Sequence, residues 1–188
     1  YITAHATYND AIDRVVDFGI DCIEHGGPMS DKTIDKIAKK NIPICTTFSP
    51  VVMQSKPEIA RKYLIPEWKI EERQKLVKDK SRFESLIKAS KAGISIVFGT
   101  DAGSPVVPHD AIVPEMKFMI EMGLVKNNIE AIQSATIKAA QLNRMEDKIG
   151  SLEMGKEADL IVIRGKPDIN LDDLENVEQV FINGKRMI

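Results

Sequence analysis

The sequence predicts an α/β fold built on a parallel sheet, and three observations lead there. Over the first hundred residues, short runs rich in β-branched and apolar residues alternate with stretches whose apolar residues recur at helical spacing. Each strand-like run is followed by a helix before the next run begins, the order that right-handed crossovers between parallel strands require. No glycine-rich phosphate loop follows the first run, so the usual mark of a doubly wound nucleotide-binding sheet is missing.

Tyr1–Ala6 reads as the first strand. Asn9–Phe18 reads as a helix, with Ala11, Ile12, Val15 and Val16 on one face and Gly19 as its stop. Ile20–His25 is the second strand, and Gly26-Gly27-Pro28 turns the chain. Ser30 or Asp31 caps a helix over Lys32–Lys40, and Ile42–Phe48 is the third strand. Ser49 to Pro66 contains Pro50, Pro57 and Pro66 and reads as a long loop with one helical turn. Glu67 to Ala92 reads as one long polar helix closed by Gly93, and the alternating charges of Lys69–Lys91 mark a solvated face. Ile94–Thr100 is the fourth strand. Helices follow over Ala111–Met122 and Asn128–Met145, with Glu115 expected to decorate the first turn of the former.

From Ile149 the pattern changes to short strands, Asp159–Arg164, Gln179–Asn183 and Lys185–Ile188, the last two joined by an Asn183-Gly184 hairpin signal. A boundary near residue 146 divides a 1–145 unit from a 146–188 unit. Eight strand–helix units close a (β/α)₈ barrel, and four make half of one. An open doubly wound sheet is the structural alternative.

Composition narrows the functional classes. The 188 residues carry a net charge of -2, which points to neither a nucleic-acid nor an anionic-membrane partner. No apolar run approaches the ~20 residues that span a bilayer. Cys22 and Cys45 lie in apolar strand-like runs and are expected to be buried reduced thiols. The chain opens at Tyr1 directly in a strand-like run, so it is expected to begin inside a longer protein.

Three residues hold equivalent places. His5 lies near the end of the first strand, His25 ends the second, and Asp101 follows the fourth. Active sites of parallel α/β folds form at the carboxyl ends of the strands, so these side chains converge. Two imidazoles and a carboxylate are a metal-binding set. The residues alone leave a shared metal site and separately hydrogen-bonded histidines both open. Glu24 precedes His25, and strand alternation points it to the opposite face, as a structural residue.

Four stretches carry a family resemblance: Ala4-His5-Ala6, Glu24-His25-Gly26, Phe98-Gly99-Thr100-Asp101-Ala102-Gly103, and the tail Ile149-Gly150-Ser151-Leu152-Glu153-Met154-Gly155-Lys156-Glu157-Ala158-Asp159-Leu160. The chain resembles the amidohydrolase superfamily, in the branch of imidazolonepropionase-like proteins and metal-dependent Xaa-Pro dipeptidases. The resemblance runs over essentially the whole chain and implies strands five to eight of a (β/α)₈ TIM barrel, then the C-terminal segment of a small β-sandwich domain. It makes His5, His25 and Asp101 ligands of one or two divalent metal ions, zinc being the expected metal. Asp101 would also be the general base and acid of the hydrolysis, and His109 a substrate contact.

The implied reaction is hydrolysis of an amide, peptide or cyclic amide C–N bond, with a small molecule such as an Xaa-Pro dipeptide as substrate. A deaminase or a ring-opening cyclic amidohydrolase is the enzymatic alternative. A non-catalytic half-barrel that binds or assembles is the alternative of another class. A cytoplasmic homo-oligomer is expected. The family's His-x-His pair of the first barrel strand has no counterpart here, so this chain by itself is expected to hold metal poorly and to be inactive.

Overall fold

The computed structural model describes residues Tyr1–Ile188. Four parallel strands, β1 (Thr3–Ala6), β2 (Cys22–His25), β3 (Ile44–Thr46) and β4 (Ile96–Phe98), lie side by side in chain order. Each is shorter than its apolar run, although the flanking Ile2, Pro43 and Ser95 carbonyls and the Gly99 amide still bond across to the neighbouring segment.

Register assigns the two faces of this sheet. Ala4, Ile23, Ile44 and Ile96 pair across the strands and enter the main core, where the helices pack. His5, Glu24, Cys45 and Val97 form the neighbouring row and share the opposite face. Glu24 therefore lies on the face that carries His5, contrary to the expectation from counting alternation back from His25. The count fails because His25 leaves the strand with φ +70, which breaks the period at its last residue.

Helices α1 (Asn9–Phe18) and α2 (Asp31–Lys39) cover the core face with Ile12, Val16, Ile34 and Ile37. Ser30 Oγ accepts from the Thr33 amide at 3.2 Å, the cap read from the sequence. The Ser49–Pro66 stretch departs from the expected loop. It folds into α3 (Ser49–Gln54), α4 (Pro57–Ala60) and a 3₁₀ turn over Arg61–Tyr63. Pro50 and Pro57 stand in the first turns of α3 and α4, where a missing N–H costs nothing, so they open helices instead of breaking one.

The expected long polar helix is two, α5 (Glu67–Lys78) and α6 (Ser81–Lys91). Asp79 turns extended between them, and its carboxylate accepts from the Ser81 amide at 3.0 Å. After α7 (Ile112–Glu121), the next stretch is likewise split at Thr136 into α8 (Asn128–Ala135) and α9 (Ile137–Leu142). Met116 and Met119 of α7 are buried in the core.

A second, antiparallel sheet follows: β5 (Leu160–Ile163), β6 (Val177–Ile182) and β7 (Lys185–Arg186). Asn183 (φ +50) and Gly184 (φ +73) make the tight β6–β7 turn. The connector before β6 is not free of the first unit. Leu171 is buried in the main core, and Lys117 pairs with Asp172. No helix is long and apolar enough to cross a membrane.

Candidate active site

The carboxyl ends of β1 to β4 and the segments after them form one surface. His5 is exposed on β1. His25 ends β2, and the two imidazole centroids stand 4.6 Å apart, edge to face. His25 lies in an unusual turn. The Gly26 amide bonds back to the Glu24 carbonyl at 2.9 Å, closing a three-residue turn with His25 at positive φ in its middle. That hand of γ-turn is rare and strained. Gly26 continues it at φ +66.

Gly27 lies so close to the β1 loop that a Cβ would be driven into the Thr7 carbonyl. Gly27→Ala is therefore expected to cost about 1–3 kcal/mol, the usual penalty of overpacking, read as a lowered thermal midpoint.

The His25 ring is held by Thr47, the residue after β3. Its Nδ1 lies 2.5 Å from Thr47 Oγ1. Burial, with the neighbouring charges of His5 and Arg82, keeps the imidazole below its usual pKa, while Asp101 pulls the other way. His25 is thus neutral at neutral pH, the form that can ligate a metal.

Asp101 lies just beyond β4 with φ +55, and the Ser104 amide bonds to its carbonyl at 3.1 Å. It is exposed and close enough for its charge to act on His25. His109 is exposed on the loop before α7 and does not line the cavity beside His5. So the structure brings His5 and His25 together and sets Asp101 nearby. No group of three or more His, Cys, Asp or Glu side chains is close enough to hold a metal ion. By donor chemistry the histidine pair fits a divalent cation as two of its ligands, and Asp101, whose charge reaches His25, has the donor chemistry of a third.

A cavity of about 350 Å³ opens beside His5, lined also by Tyr8, Val51, Lys69, Arg73 and Arg82. Two charged residues, Arg82 at this cavity and Glu115 in the core behind it, carry no signal in the motifs. Arg82 does not belong to a solvated face. Its Nη2 donates to the His25 carbonyl at 3.0 Å and to the Thr47 carbonyl at 3.2 Å. Its guanidinium lies 5.1 Å from the Phe48 ring centroid. Burial pulls its pKa down to about 10, so it stays charged at neutral pH.

Glu115 is fully buried instead of decorating a surface turn. Its carboxylate accepts from the Phe48 amide at 2.7 Å, the Ser49 amide at 2.7 Å and Ser49 Oγ at 2.5 Å, fixing the start of α3. Cys22 and Cys45 are free thiols, and burial pushes Cys22 up to about 12, so it is protonated and unreactive.

The amidohydrolase family model matches residues 1–187. The chain belongs to the amidohydrolase family. Among solved structures it is similar to an Xaa-Pro dipeptidase with methionine bound in its active site, at 32% identity and a TM-score of 0.79, covering 99% of this chain and 44% of that one. It is also similar to a putative prolidase from Bifidobacterium longum, at 26% identity and a TM-score of 0.85, covering 98% of this chain and 46% of the other.

Two curated relatives match part of the chain. A 5-methylthioadenosine/S-adenosylhomocysteine deaminase from Symbiobacterium thermophilum is 36% identical over 83 residues, 40% of this chain and 19% of its own. An imidazolonepropionase from Streptococcus pyogenes is 29% identical over 97 residues, 50% of this chain and 20% of its own. The α/β fold is thus that of amidohydrolase barrel proteins. The chain spans about half the length of the first curated relatives it matches, 47% in a Mycobacterium tuberculosis protein.

Proposed function

We propose that this amidohydrolase chain forms the metal-binding half of a site that hydrolyses the C–N bond of a small amide, with an Xaa-Pro dipeptide as the leading substrate. The observation that carries the reading is the His5–His25 pair, 4.6 Å apart at the carboxyl ends of adjacent parallel strands. The likeness to an Xaa-Pro dipeptidase over 99% of the chain supports the substrate class. In this reading β1 to β4 are strands five to eight of a (β/α)₈ barrel, residues 1–145 complete that barrel, and 146–188 belong to a small β-sandwich domain.

His5, His25 and Asp101 would hold one or two divalent ions, zinc first among them. A bound divalent cation lowers the pKa of a water toward ~7 and polarises the scissile carbonyl. Asp101 accepts the proton of the attacking water and returns it to the departing amine. Its exposure and its position beyond β4 leave the carboxylate free for that exchange. His109 would reach the substrate from the loop before α7. Val51, Lys69 and Arg73 would line its pocket.

The test is a panel of Xaa-Pro dipeptides offered to the full-length protein. The expected result is hydrolysis that chelation removes and added zinc restores. Turnover indifferent to chelation would sink the metal reading, and no turnover of any dipeptide would sink the substrate. The deaminase likeness keeps one second reading in view. It predicts ammonia release from an aminopurine nucleoside in the same assay.

A further inference from the structure

His25 needs more support than its strand supplies. It is a non-glycine residue at positive φ inside a strained turn, and strain of that kind persists only where the surroundings over-determine it. Two side chains meet it. Arg82 reaches from α6 and spans the ends of β2 and β3, one Nη2 bonding both the His25 and the Thr47 carbonyls. Thr47 then holds the ring itself through Nδ1. Arg82 is in turn held against Phe48, whose amide is fixed by Glu115. Its Nε is buried with no partner, a cost that a merely decorative arginine would avoid by turning to solvent.

We infer that Arg82 and Thr47 are positioning residues for His25: Arg82 clamps the strained backbone turn, and Thr47 accepts from Nδ1–H, leaving the Nε2 lone pair free to ligate. The inference rests on the metal reading above for its consequence, but its geometry is a property of this chain. Fixing the tautomer and the ring plane of a metal-bound histidine is worth about 10–100-fold in metal affinity. Arg82 serves here because Nη2 carries two N–H groups fixed in the guanidinium plane, one for each carbonyl, while the weakly hydrated guanidinium lies 5.1 Å from the Phe48 ring centroid; a lysine ammonium is more strongly hydrated and has no plane to fix its donors.

The experiment uses the full-length protein with two readouts. Zinc is titrated in competition with a chromophoric chelator, and the His25 imidazole nitrogens are followed by ¹⁵N NMR in the metal-free protein. Thr47→Val and Arg82→Met are each expected to raise the zinc dissociation constant by about 10–100-fold. Arg82→Lys should recover part of that loss. In the NMR spectrum the wild type should show Nδ1 protonated and Nε2 bare, and Thr47→Val should show the two tautomers averaging.

Wild-type zinc affinity in both Thr47→Val and Arg82→Met would overturn the inference, as would a His25 nitrogen pattern unmoved by Thr47→Val. Should Arg82→Met fail to fold, the near-isosteric Thr47→Val decides. A wild-type protein that takes up no zinc removes the metal reading alone, and the nitrogen shifts then decide for or against the positioning.

Discussion

Asp101→Asn is expected to lower kcat for dipeptide hydrolysis by about 10²–10⁴-fold in the full-length protein, the range that a positioned general acid–base contributes. Asparagine keeps the shape and an oxygen but cannot accept a proton at neutral pH. The residue is exposed, so in the metal-free protein the stability should change by no more than a surface substitution changes it, about 0.5 kcal/mol. The measurement is kcat at saturating zinc, which separates a lost proton acceptor from a weakened ligand. A variant within tenfold of the wild type would place the acid–base function on another residue. A wild type without turnover, whose biological effect survives the substitution, would favour the non-catalytic half-barrel.

The convergence of His5 and His25, with Asp101 nearby, is legible in the sequence, and the reason is geometric. His5, His25 and Asp101 each follow an apolar run, and parallel strands deliver their carboxyl ends to one surface whatever their separation in sequence. What failed was local counting. Alternation misplaces Glu24 because the neighbouring His25, at φ +70, is not extended. The Ser49–Pro66 stretch is helical where its prolines suggest a loop, because Pro50 and Pro57 stand at the first turns, where proline opens a helix.

Arg82 and Glu115 are hidden in the sequence for a different reason: their charge suggests a surface, while their spacing places them on the core. Arg82 is followed at helical spacing by Leu86 and Ala89, both buried, so it falls on the core face of α6. Glu115 stands four residues before Met119, also fully buried. A charged residue in register with an apolar stripe is the available signal, because burying it is tolerable only when hydrogen bonds satisfy it.

Glu115→Ala is expected to destabilise the fold strongly. It opens a cavity beside Phe48 and strands three donors at once, the Phe48 and Ser49 amides and the Ser49 hydroxyl. Each buried unsatisfied group costs about 1–3 kcal/mol, and water entering the cavity re-pairs some of them, so a total at the low end, about 3–5 kcal/mol, is expected. In a domain of this size that corresponds to a fall in Tm of roughly 6–20 °C. Glu115→Gln retains one acceptor oxygen and should cost less.

The pH dependence separates the carboxylate's charge from its shape. Burial raises the Glu115 pKa above its ordinary 4.5, against the lowering effect of the three donors. The folded protein therefore binds this proton more tightly than the unfolded chain does. The stabilisation from protonation is fully present below 4.5 and is lost as pH rises through the folded value. Glutamine does not titrate. The stability advantage of the wild type over Glu115→Gln, from denaturant melts, should thus be larger below pH 4.5 than at neutrality. An advantage that instead grew toward neutral pH would mean that the donors outweigh burial and that Glu115 is held as a stabilised anion at the start of α3.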